Sequence, residues 1–188
     1  MRTPLATAQA QHGAIEIDRF RHPIEFLFKE HDRQRVICAA LELLAHDCTA
    51  DRAPENAALV LGYLEHDMPL HIADEEEDLF PLLTRRCAPE DDFDEIVALL
   101  SSDHETDEKH YLALLEPLRA IVNGLQPPDP MQFAADARAF AVLQRRHLGW
   151  ENGTVLPLAR RRLTAADRAE LGRKMAERRG IFRSPLIG

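Results

Sequence analysis

Six residues in this chain have the types and spacings to hold metal ions. His71 is followed one helical turn later by Glu75, and His147 by Glu151. Residues four apart on a helix share a face, about 5–6 Å from each other. Each pair therefore offers an imidazole nitrogen and a carboxylate oxygen side by side. His31 and His104 stand singly, each within an apolar stripe. This donor set suits iron, manganese or zinc rather than calcium or copper(I). One histidine on an apolar stripe is ordinarily a core residue. Four of them with two glutamates need a common partner, because a buried carboxylate left unpaired is costly. A metal supplies that partner.

Helices must position these residues, because the apolar period is helical nearly everywhere. The first helix is expected from about Pro23 to about Ala45, and the second from about Pro54 to Arg86. Within the second, Pro69 should kink the helix and Pro81 should end its regular part. The third is expected from about Pro89 to Val122, with a kink at Pro117, before the break NGLQPPDP. The fourth runs from about Met131 to Arg162. A short fifth follows, where Thr164 and Asp167 have the form of a capping box and Gly180 suits a stop.

Four long helices with short connections predict an all-α fold, an antiparallel up-down-up-down four-helix bundle with a short C-terminal fifth helix. Residues 1–22 read as an N-terminal extension, 23–163 as the bundle and 164–188 as the C-terminal helix and tail. Chain distances place the candidate ligands together. Across each connecting loop, the paired histidines and glutamates lie at distances that agree to within about four residues, or about 6 Å along the axis.

Composition narrows the partners. The net charge is −9, which argues against nucleic acid. Residues 145–188 nevertheless carry +7, so the last helix is a basic surface for an acidic protein partner, or for a second copy in a homodimer. No window is long and apolar enough to span a membrane. The first twenty residues hold no apolar signal core, so the cytoplasm is the expected location. Cys38, Cys48 and Cys87 match no paired metal or redox motif and read as reduced thiols.

The segments FLFKEHDRQR, LHIADEEEDLFPLL, SSDHETDE and RRHLGWENGTVLPLA, one in each long helix, together resemble the hemerythrin-like, or HHE cation-binding, family. The second and fourth are the specific ones: His, Glu one turn on, then an apolar pair and Pro. The resemblance spans about His22 to Leu163. It implies two non-haem iron ions held by His31, His71, Glu75, His104, His147 and Glu151, with the two glutamates bridging. The oxygen-carrying members have two histidines one turn apart in the third helix. Here Glu108 follows His104 and Leu100 precedes it, so four histidines remain, and Glu108 is a candidate seventh ligand.

The resemblance implies binding of oxygen or a related small ligand, nitric oxide or peroxide, for sensing, storage or redox response, with apolar layers above and below the metals. Two alternatives stay open: a di-iron oxidase or a peroxide- or nitric oxide-consuming enzyme, and a zinc-stabilised regulatory bundle. Among the remaining residues, the run Asp74–Asp78 reads as a solvated acidic face with only Glu75, and at most Asp78, turned in. Asp67 reads as a residue orienting His71. His12, His22, His46, His66 and His110 read as non-ligands.

Overall fold

The computed structural model describes residues 19–181, the side chains of Glu105 and Glu108 excepted. The extension before residue 19 (His12 included), the last seven residues, and Glu108 as a seventh ligand lie outside what is described. Among the described residues every regular element is helical. Helix α1 is Pro23–His46. Helix α2 covers 53–86, α3 is Phe93–Val122, α4 covers 130–162, and α5 is Ala165–Arg178. Pro23 and Pro130 each open a helix where a missing N–H costs nothing. Asp129 caps α4 by accepting from the Gln132 backbone N–H.

At Pro81 the structure departs from the sequence expectation, and three internal prolines share a local device. Helix α2 neither ends at Pro81 nor breaks at Pro69. Each is preceded by one wide π turn, Tyr63–Asp67 and Asp74–Leu79, and α4 repeats this with Glu151–Val155 before Pro157. In all three the residue before proline donates its N–H five residues back: Met68 to Tyr63, Phe80 to Glu75, Leu156 to Glu151. A proline ring collides with the carbonyl four residues earlier in a regular helix. The extra residue of a π turn relieves that collision and lets the helix continue. Pro117 has no such turn, and α3 runs through it as an α-helix.

Helices α1 and α2, α2 and α3, α3 and α4, and α1 and α4 pack against one another, as a helical bundle requires. Two apolar clusters fill it. One gathers Leu41 and Leu44 of α1, Val60 and Leu64 of α2, Leu114 and Leu118 of α3, and Phe133 and Phe140 of α4. The other gathers Ile24, Leu27, Leu83, Leu100, Val155 and Leu163 with Leu171 and Met175 of α5. The six candidate ligands belong to neither cluster and lie between the two in sequence along each long helix. No helix among the described residues is long and apolar enough to cross a membrane.

Helix α5 is tied down at both ends. At its start, Thr164 accepts from the Asp167 N–H and Asp167 accepts from the Thr164 N–H, the predicted capping box. Arg86 adds two hydrogen bonds to the Asp167 carboxylate. These bonds, from Arg86 first and then Thr164, hold the Asp167 carboxyl well below the usual carboxylate range. A depressed carboxyl stabilises the fold above its unfolded pKa, and that stabilisation is lost as pH falls through the folded value. Thr164→Ala should cost about 1 kcal/mol and make acid unfolding begin at higher pH, both readable by thermal melts between neutral and acid pH.

The far end of α5 corrects the reading of the acidic run. Asp74 is not solvated but 0% exposed, and Asp78, which the sequence allowed to turn in, is 2% exposed. Arg178 bonds to Asp74, Glu77 and Asp78, Arg179 to Asp74, and Lys174 to Asp78. The basic helix thus meets the acidic run of its own chain.

Candidate metal centre

All six predicted residues converge between the two apolar clusters, each less than a tenth exposed. Their donor atoms fall into two overlapping groups able to hold a metal ion: His31, His71, Glu75 and Glu151 in one, and Glu75, His104, His147 and Glu151 in the other. The two glutamates are common to both, and each divides its oxygens between them. Glu75 Oε1 lies 3.7 Å from His31 Nε2 and 3.5 Å from His71 Nε2, while its Oε2 lies 3.4 Å from His104 Nε2. Glu151 Oε2 lies 3.4 Å from His31 Nε2, while its Oε1 lies 2.9 Å from His147 Nε2.

The π turns belong to this geometry. Glu75 and Glu151 are the residues whose backbone carbonyls accept the five-back hydrogen bond that the following prolines require. The recurrent spacing of glutamate, apolar pair and proline therefore has a backbone cause as well as a ligand one.

The donor chemistry fits cations. His71 Nδ1 and Nε2, His31 Nε2, both Glu75 oxygens and Glu151 Oε2 are buried without a hydrogen-bond partner among the described residues. Buried polar atoms are ordinarily satisfied. His104 Nε2 and His147 Nε2 face each other at 3.1 Å, where two lone pairs repel unless a proton or a cation lies near them. Burial lowers His71 to about 3, keeping it neutral as a ligand must be. Burial also opposes charge on His104 and His147. The neighbouring carboxylates outweigh it, through Glu75 and Glu76 for His104, held at about 10, and through Glu151 for His147, held at about 9. The glutamates diverge. Burial and the adjacent Glu75 charge push Glu151 up, whereas the surrounding imidazoles overcome burial and hold Glu75 well below the usual range.

Two residues, Asn152 and Glu76, orient the rings from outside, and sequence reading missed them. Asn152 Oδ1 lies 3.1 Å from His31 Nδ1. Glu76 Oε1 lies 2.6 Å from His104 Nδ1, and Ser101 donates to its other oxygen. Asp103 Oδ2 stands 3.6 Å from His147 Nδ1, too long for a hydrogen bond. The signal was available: Glu76 and Asn152 each immediately follow one of the two shared glutamates, a step of about 100° toward the neighbouring helix. Asp67 does not orient His71; it pairs with Arg33 instead.

The surroundings are asymmetric. One turn from the ligands on one side lie Leu27, Leu79, Leu100 and Val155, all fully buried, the expected apolar layer. On the other side stand Gln34, Met68, Asp107 and Gln144. Gln144 donates to Asp107 Oδ2 at 2.6 Å, and Asp107 Oδ1 and Gln34 Oε1 have no hydrogen-bond partner among the described residues. The fully buried Tyr63, whose hydroxyl is also unpartnered, lies beside Gln34. The second apolar layer is therefore replaced by a largely polar one.

A family model described as the hemerythrin HHE cation binding domain matches residues 22–159, which include all six candidate ligands. Comparison with curated proteins returns no match.

Proposed function

The chain belongs to the hemerythrin HHE cation-binding domain family, and from that premise we propose that it is a non-haem di-iron protein that binds oxygen or a related small ligand for sensing, storage or redox response. The observation carrying this reading is the division of both carboxylates between two donor groups. In this reading the frame is an antiparallel up-down-up-down bundle. His31 and His71 would hold one iron and His104 and His147 the other, with Glu75 and Glu151 available to both. Ferrous iron, when bound, would supply electrons to such a small ligand.

The chain's own residues do the rest. Glu76 and Asn152 fix ring orientation at His104 and His31. Leu27, Leu79, Leu100 and Val155 keep water from one side. Three thiols without a disulfide suit a reducing compartment, and the cytoplasm is the location this reading takes. Asp107, buried in the polar layer beside Gln144, favours a second reading, turnover of peroxide or nitric oxide, because such chemistry needs a group that carries protons.

One experiment tests the reading and divides its branches. The protein is loaded with ferrous iron without oxygen, then exposed to oxygen or nitric oxide. A new visible absorption that reverses when the gas is removed is the expected result for binding. Steady consumption of the ligand points to turnover. Failure to bind iron, or iron with no optical change, would contradict the proposal. Glu76→Gln should weaken iron binding roughly 10–100-fold, the usual effect of losing a ring-orienting partner. Asp67→Asn should leave binding unchanged; equal effects of the two variants would sink this assignment.

A further inference from the structure

We propose that α5 is a positioning clasp for Glu75, acting through Arg178 on the two carboxylates that flank it. The inference rests on the metal-binding reading above, and it concerns a helix that lies beyond the residues matched by the family model.

Glu75 sits in the π turn Asp74–Leu79, where the hydrogen-bond ladder is opened by one residue. Such a turn is held less well by its own backbone than an α turn. Asp74 precedes Glu75 and Asp78 follows it by three, so the pair brackets the ligand. A single guanidinium grips both: Arg178 Nη1 bonds to Asp74 and Nη2 lies 2.8 Å from Asp78. The planar fork of arginine fixes the spacing of two carboxylates in a way that a lysine ammonium does not.

Neighbouring residues hold the fork in place. Arg179 reaches the second oxygen of Asp74 at 2.8 Å, and its guanidinium also packs on the rings of Phe20 and Phe26. Lys174 Nζ lies 2.9 Å from Asp78 Oδ1. Arg178 is only 17% exposed and the two aspartates are buried, so water screens these pairs weakly. Gly172 lets α5 approach closely, since a Cβ there would overlap the Phe20 carbonyl oxygen. The clasp therefore spans the turn from outside while Glu75 points into the cluster.

Charge alone and positioning predict opposite signs. Removing a cation beside a carboxylate site should tighten cation binding if only the field matters. Loss of the clasp should weaken it, because Glu75 is no longer held between the two imidazole groups. Cobalt(II) alone is the probe, since its visible bands report ligand geometry as well as affinity. The full chain is titrated as wild type, Arg178→Gln and Arg86→Gln. Arg86 anchors the opposite end of α5 through Asp167 and touches none of residues 74–78.

The expected result is cobalt affinity lowered roughly 10–100-fold with altered bands in Arg178→Gln, and wild-type affinity and bands in Arg86→Gln despite a lower melting temperature. Wild-type or tighter binding by Arg178→Gln would overturn the clasp and leave the metal centre standing. Equal weakening in both variants would also overturn it, making α5 a structural cover alone. A wild-type chain that binds no cobalt would overturn the metal-binding reading together with this one.

Discussion

Glu75→Gln should cost the protein both ions of the proposed pair, whereas His71→Leu should cost it one. The difference follows from how the donors are shared. Glu75 belongs to both ligand groups, with Oε1 toward His31 and His71 and Oε2 toward His104. Glutamine keeps the shape but replaces an anionic oxygen with an amide N–H₂, which donates and does not ligate. Both groups then lose a charge, and affinity should fall by more than the roughly 100-fold upper end for outer-shell changes. His71 belongs to one group only, and its loss leaves Glu75, His104, His147 and Glu151 together. His147→Leu should behave as His71→Leu does, leaving the opposite group. Glu77→Gln, at a carboxylate 69% exposed, should change nothing in metal content. Metals counted per chain after desalting decide this. If Glu75→Gln and His71→Leu lost equal amounts, the shared carboxylates would not be bridges.

Removing metal should lower stability sharply. Without a cation, Glu75 presents two buried oxygens, and His71 two buried nitrogens, with no hydrogen-bond partner among the described residues. Each such atom costs about 1–3 kcal/mol. An ion that binds only the folded chain, present at about 1,000 times its dissociation constant, contributes about 4 kcal/mol. For a chain of this length, 1 kcal/mol moves the melting temperature by about 2–4 °C. Chelation should therefore lower it by about 8–16 °C for each ion removed, reversed when metal is returned. Loss of metal with an unchanged melting temperature would show that the cluster is satisfied without it.

The two sequence windows that pair a histidine with a glutamate one turn later were the most legible part of the molecule. Their spacing reports one helix face, and helix-face geometry needs no knowledge of the rest of the chain. The same is true of the Thr164–Asp167 capping box, which is local. The π turns were not legible as such. A proline within a helical pattern signals trouble four residues back, but whether the helix kinks, stops or widens depends on what packs around it. Here it widens three times, while at Pro117 the helix continues as an α-helix with no widened turn.

Long-range partners account for the other differences. Asp74 looks solvated because five acids in a row repel one another, and the cations that pair with it lie some hundred residues on. Glu76 was hidden in the same run, although its carboxylate meets His104. Gln34 and Gln144 stand on the inward stripes, and a polar residue there could not be told from a tolerated exception until the Asp107 contact was seen. The basic character of α5 was plain from composition. That the acidic surface it meets is its own chain's was not.

The central claim is that these six side chains hold a pair of iron ions. Elemental analysis of the purified protein, counting iron, manganese and zinc per chain, tests it most directly. The account predicts about two irons per chain, as two donor groups sharing two bridging carboxylates require. No transition metal, or a single zinc, would contradict it and would leave the cluster as a device for holding the bundle together.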